Sequence, residues 1–107
     1  MDDSIVMKRF EIVIGAEYLD QLTELLERSE VRGYTVFKNV GGIGSRGIRN
    51  PDDVLITDEN IVIILACKED RAQKVLNELG TAMKGFGGMC LVSNCHAQMP
   101  EIGRAHV

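Results

Sequence analysis

Between Met7 and Ile14 the chain reads MKRFEIVI, with Phe10, Ile12 and Ile14 on one parity and Arg9 and Glu11 on the other. A period of two predicts a half-buried strand, because successive side chains leave opposite faces of a pleated backbone. The period then lengthens. From Glu17 to Ser29, Leu19, Leu22, Leu25 and Leu26 recur at three- and four-residue steps, predicting an amphipathic helix with Glu24 and Arg28 paired on its wet side. Gly33 ends the turn that follows, and Tyr34 to Asn39, rich in β-branched and aromatic residues, predicts a second strand. The run Ile61 to Ala66 (IVIILA) is apolar at every position, which predicts a strand covered on both faces. A second helical stripe of Ala72, Val75, Leu76 and Leu79 falls within Glu69 to Leu79, with Asp70 and Lys74 paired outside it and Gly80 as its stop. Met89 to Ser93 (MCLVS) predicts the last strand, and residues 94–107, without a period, are expected to form a flexible tail.

The order βαββαβ is that of an α+β ferredoxin-like sandwich, here a single domain over residues 1–107 with strand order 4-1-3-2. Two helices of this size cover one face of a four-stranded sheet. Tyr34, Val36 and Phe37 nevertheless give the second strand apolar residues of both parities, and the third strand is apolar throughout. Another copy of the chain is the economical cover for the open face. A charge at Ile63 is accordingly expected to break assembly or solubility.

Composition narrows the chemistry. A net charge of -4 lacks the broad basic face of general nucleic-acid binders, and an aromatic content of 5% is low for base stacking. The N-terminus MDDSIVMKRF lacks the basic-then-apolar order of a signal peptide, so a cytoplasmic protein with reduced Cys67, Cys90 and Cys95 is expected. No Ser/His/Asp set, GxSxG, HExxH or CxxC is present, which argues for a protein that is not an enzyme. Cys90, Cys95, His96 and His106, with Met99 nearby, have ligand types that suit a soft metal, although their spacing fits no standard finger.

Two glycine clusters remain. The stretch GGIGSRGIRNPDD (Gly41 to Asp53) does not open into a helix, so it lacks the dipole of the usual phosphate loops. It offers backbone N–H groups, the Ser45 hydroxyl, and Arg46 and Arg49 as forks for anionic oxygen; a solvated hairpin loop is the plain alternative. The second cluster, MKGFGG (Met83 to Gly88), brings Lys84. In an oligomer the two clusters can meet across a subunit boundary and enclose one ligand, with Phe86 and Val36 as a wall for a heterocycle.

The segment GYTVFKNVGGIGSRG, followed by a polar loop, an apolar strand and a Glu-, Lys- and Leu-rich helix, resembles PII-type signalling proteins. It is most similar to the PII-like branch associated with bicarbonate uptake and carbon concentration. That resemblance implies a homotrimer whose T-loop, about residues 41–59, contacts partner proteins, and whose B-loop, about 81–88, completes an intersubunit nucleotide cleft. By position, Thr35 and Val36 would face adenine, and Gly42, Gly44, Ser45 and Arg46 would form the phosphate-side base of the T-loop. Gly85, Phe86, Gly87 and Gly88 would be the B-loop, and Arg46 and Arg49 would hold bicarbonate or another small anion.

Three departures refine this. No Tyr lies between Gly41 and Asn60, so uridylylation is not expected. Met89 stands where nitrogen-regulatory members carry a phosphate-binding Lys, which favours ADP, AMP or cyclic AMP over ATP. Arg104 lies too late to replace the Arg pair that follows the last strand in those members. The resemblance thus implies a nucleotide-sensing regulator of a bicarbonate transporter or carbon-fixation component, recruited to the membrane face by such a partner. The alternative is a metal-response relative using Cys90, Cys95, His96 and His106.

Overall fold

A computed structural model describes residues 4–40, 42–44, 47–49 and 59–98. Strand β1 (Ile5–Gly15) leads through a single 3-10 turn, Ala16–Tyr18, into helix α1 (Leu19–Arg28). Strand β2 (Thr35–Val40) precedes a small ribbon of β3 (Gly42–Gly44) and β4 (Gly47–Arg49). Strand β5 (Asn60–Cys67), helix α2 (Glu69–Phe86) and strand β6 (Met89–Ala97) complete the chain. The main sheet has the order β2-β5-β1-β6, the expected 4-1-3-2 arrangement read from the other edge, and all three of its pairings are antiparallel. No described helix is long and apolar enough to cross a membrane.

The core is built where two periods meet. Phe10, Ile12 and Ile14 of β1 stand directly opposite Leu65, Ile63 and Ile61 of β5, and all six are buried. Leu22, Leu25 and Leu26 from α1 join this layer, as do Ala72, Val75, Leu79 and Phe86 from α2. Each fully buried large aliphatic side chain contributes about 1.5–3 kcal/mol, so this layer is the main source of stability.

Ile63 therefore lies beneath the helices and not on the open face. Strand alternation gives the open face to its neighbours Val62, Ile64 and Ala66, which are only half-buried. The expectation that a charge at Ile63 would probe assembly is corrected accordingly. Leu76, placed on the buried stripe by periodicity, is exposed.

Helix α2 runs seven residues past its expected end at Leu79, to Phe86. Helical glycine costs about 1 kcal/mol relative to alanine, and the apolar stripe that continues through Ala82, Met83 and Phe86 offsets this. The stop is Gly87, whose φ of 66° closes the helix as its N–H donates to the Met83 carbonyl at 3.0 Å. Residues 81–86 are thus helical, and the segment expected as a loop over 81–88 reduces to Gly87 and Gly88. Strand β6 likewise continues to Ala97, because its backbone pairs with β1 as far as Ile5. Residues 94–97 are strand, not tail; 99–107 lie outside the described residues.

The ion pairs also differ from those expected within each helix. Arg28 meets Glu78 at 3.3 Å and Lys74 meets Glu30 at 3.0 Å, so both tie α1 or its following turn to α2. Glu30 itself adopts a left-handed φ of 65° just after α1. Lys74, through its hydrogen bond and charge, and then Arg71 hold the Glu30 carboxyl below its ordinary range.

Candidate functional site

The antiparallel registers bring both glycine clusters to one end of the sheet. At that end β2 finishes with Val40 opposite Asn60, and Asn60 in turn stands opposite Gly15 at the end of β1. The Ala16 N–H donates to the Glu59 carbonyl at 2.7 Å, fixing where the chain re-enters β5. Strand β6 starts at the same end, with Met89 opposite Val13. The ribbon β3–β4 therefore springs from one edge of the sheet and the α2–β6 connection arrives at the other. Three interstrand steps of about 4.8 Å put these edge strands about 14 Å apart within one copy.

The register between β2 and β5 slips by one residue between Phe37 and Val40, at the foot of the ribbon. Such a bulge increases the local twist and re-aims the strand as it leaves the sheet. Within the ribbon Gly42 pairs with Arg49 and Gly44 with Gly47. Ser45 and Arg46 lie outside the described residues, and for Gly42, Gly44 and Arg49 only the backbone is placed.

The remaining expected contacts fall in different environments. Thr35 pairs with Ile64 on the open face and is exposed, whereas Val36 pairs with Ile63 and packs against the helix-side core. The two side chains leave opposite faces of one strand, so they do not line a single wall. Phe86 is 6% exposed, and its ring lies 5.1 Å from that of Tyr18. It is a core residue, not a free wall for a heterocycle.

Gly85 borders a groove of about 400 Å³ between the helices, together with Tyr18, Leu25, Arg28 and Thr81. A Cβ there would meet nothing within 4 Å. At Gly88 a Cβ would overlap the Val13 carbonyl oxygen and come within 2.8 Å of Ile14 Cγ2. Gly88 is thus required by the close approach of the chain to β1. Gly87 and Gly88 are the two members of the second cluster left at the loop-bearing end.

Among the described residues the soft-metal alternative finds no geometry. Cys90 pairs with Ile12 on the helix side of β6, and Cys95 pairs with Met7 on the opposite parity. Cys90 and His96 share a parity but are six residues apart on an extended strand, roughly 20 Å. His96 Nδ1 lies 3.3 Å from the Ser4 hydroxyl. Among the described residues no cluster of three His, Cys, Asp or Glu could hold a metal ion, and His106 is outside them. All three cysteines are free thiols. Burial pushes the Cys67 and Cys90 thiols up, away from the thiolate form that binds metals.

One feature escaped the sequence reading. Arg9 and Glu11, on the polar parity of β1, lie on the open face and pair with each other at 3.0 Å. Their period-two spacing was visible, but a solvated face and a face awaiting a partner have the same spacing.

Comparison with known proteins agrees with this architecture. The family model of the nitrogen regulatory protein P-II matches residues 7–97. CPII, a PII-like protein from Thiomonas intermedia K12, superposes with a TM-score of 0.78 in its ADP- and bicarbonate-bound structure, at 26% identity over 91% of this chain and 93% of that one. Its structure with ADP, AMP and bicarbonate gives 0.79 at 26% identity, over 91% of this chain and 92% of that one. The UPF0166 protein MJ1524 of Methanocaldococcus jannaschii is 28% identical over 82 residues, which is 75% of this chain and 74% of that protein. A DNA helicase/primase of Enterobacteria phage T3 is 37% identical over 57 residues, half of this chain (50%) but only 10% of the length of that protein. With both helices and all but the first two residues of the sheet inside the P-II match, the chain belongs to the PII family of signalling regulators.

Proposed function

We propose that this chain is a PII-like regulator that binds an adenine nucleotide together with bicarbonate in the clefts between subunits of a homotrimer. ADP, AMP or cyclic AMP is the preferred nucleotide over ATP. The occupied cleft selects a conformation of residues 41–59, and that segment signals to a partner in inorganic-carbon uptake or fixation. The chain acts as a binding regulator and not as an enzyme, in the cytoplasm, and at the membrane face when its partner is a transporter.

The observation that carries this reading is the convergence of two glycine-bearing connections on one end of a fold shared with nucleotide- and bicarbonate-bound CPII. The two connections lie on opposite edges of one sheet, so each copy supplies half of a cleft and its neighbour the other half. Strand β2 is an edge of the sheet among the described residues, a backbone edge able to read the edge of an adenine ring. Met89 at the start of β6 gives a third phosphate no cation, while Arg46 and Arg49 remain for the inner phosphates or bicarbonate. Coupling follows from differential affinity: a ligand shifts the loop only by as much as it prefers one loop state, typically about 1–3 kcal/mol.

Titration calorimetry with AMP, ADP, ATP and cyclic AMP, each with and without bicarbonate, tests the reading. ADP or AMP should bind at least as tightly as ATP. Arg46→Ala should weaken binding about tenfold or more with the oligomer intact, the loss expected for a charged hydrogen bond. A protein that binds none of these compounds overturns the proposal, and unchanged affinity in Arg46→Ala removes that residue from the site.

A further inference from the structure

The open face of the sheet carries a neutral ion pair set beside an apolar field. Val13 lies in the middle of that field, between Val62 of β5 and Met89 of β6, with Ile64, Phe37 and Leu91 around it. Phe37, Met89 and Leu91 are exposed at 49%, 51% and 50% in a single copy. Two positions further along β1 on the same parity stand Glu11 and then Arg9, between Ile64 and Ala66 on one side and Leu91 and Ser93 on the other. Met7 shares this parity and is already buried, so the uncovered stretch of β1 that adjoins the apolar field runs from Arg9 to Val13.

The pair is incompletely used. Arg9 Nη2 meets Glu11 Oε2 at 3.0 Å, with the side chains 37% and 34% exposed. A guanidinium has five N–H donors and a carboxylate about four acceptor sites. Among the described residues neither side chain has another charged partner. Toward the described residues each copy thus has spare donors and spare acceptors at adjoining points of one surface. A strongly charged partner would satisfy one and repel the other. An apolar partner would desolvate both and return nothing, which is costly for an ion pair. A second copy satisfies both, because it brings the same two groups.

We propose that Arg9 and Glu11 are a self-recognition pair: Arg9 of each copy engages Glu11 of the next around the ring, so that the chain assembles with its own kind and in one register. The contact is head-to-tail and repeats at each boundary, as closed cyclic symmetry requires. The apolar field supplies the association energy, and the charges supply discrimination, since like charges brought together at a boundary oppose association. This inference rests on the trimer of the proposed function and adds what selects its members.

The test is a charge swap followed by mixing. Arg9→Glu and Glu11→Arg alone should each remain folded by circular dichroism and need about tenfold or more higher concentration to assemble. The double variant Arg9→Glu/Glu11→Arg should assemble with itself as the wild type does. Mixed with wild type after dissociation, it should sort into two homogeneous populations in native mass spectrometry. Random mixed oligomers, or single variants that assemble normally, overturn the proposal. Single variants that fail to fold leave the mixing of the double variant as the deciding measurement, and a double variant that is folded but does not assemble also overturns it. A wild type that assembles and binds ADP while mixing freely sinks only the recognition pair. A monomeric wild type sinks the trimer reading and the recognition pair together.

Discussion

On the helix side of the sheet Phe10, Ile12, Ile14, Ile61, Ile63 and Leu65 are each exposed by 2% or less. On the other side Val13, Val62 and Ile64, interleaved with them along the same two strands, remain half-buried, and Phe37, Met89 and Leu91 are about half exposed. Both surfaces carry apolar residues in register, and the second also holds the Arg9–Glu11 pair. They differ in what covers them: two helices of the same chain on one side, and on the other no element among the described residues. A sheet that invests apolar residues in both faces but covers one within the chain is built for assembly, and the PII family to which this chain belongs is one of trimers.

The sharpest way to break that comparison is a pair of neighbouring charges. Ile63→Glu buries a carboxylate under α1 and α2 and should cost roughly 4 kcal/mol or more, a large part of the stability of a small domain. Its thermal melt should collapse. Ile64→Glu, one residue on and facing away, should keep a folded chain and lose the oligomer in size-exclusion chromatography. Equal melting curves for the two variants would mean that the faces are not distinct.

A smaller contrast separates two glycines of the second cluster. Gly88→Ala drives a methyl into the Val13 backbone and should destabilise by about 1–3 kcal/mol. Gly85→Ala meets open space in the last turn of α2 and should stabilise by about 0.4–1 kcal/mol, chiefly by restricting the unfolded chain. Melting temperatures of the ligand-free protein distinguish them, and a neutral Gly88→Ala would remove the close approach to β1.

The smallest effect belongs to Glu30, which ties the α1 turn to Lys74 and Arg71. Its carboxyl is held below the ordinary value of 4.5, so its contribution is present above that pH and lost as pH falls through the lowered value. Glu30→Gln should lower the melting temperature slightly at neutral pH. The difference from wild type should vanish in acid; a difference that persists there would assign the effect to backbone geometry at this left-handed residue.

Much of the fold was legible because burial imposes a period. The two-residue alternation of Phe10, Ile12 and Ile14 and the three- and four-residue steps of Leu22, Leu25 and Leu26 each report one buried face, and each is buried. Ile61 to Ala66 has no alternation to read, so the sequence does not tell that Ile63 faces the helices. Gly80 reads as a helix stop in the sequence because a glycine's local preference is visible there and the core contact of Phe86, seven residues beyond Leu79, is not. The last residues of β6 were missed for a related reason: an edge strand is held by backbone hydrogen bonds, which leave no side-chain signature. Glu24–Arg28 and Asp70–Lys74 were readable as intrahelical pairs, but surface ion pairs are weak and exchange readily for partners on a neighbouring helix.

For the candidate site, the sequence determined the two glycine clusters, the cationic residues in the first, Met89 at the head of the last strand and the family they resemble. Those are local choices of residue type, and they follow from which backbone conformations and charges a position can carry. Only the tertiary structure decided that the clusters share one end of the sheet on opposite edges, that Phe86 belongs to the core, that Gly88 answers to β1, and that Cys90 and Cys95 face apart. The reason is that strand register and helix length are settled by contacts between distant segments. A single glycine, ring or thiol takes its role from what the rest of the chain brings against it.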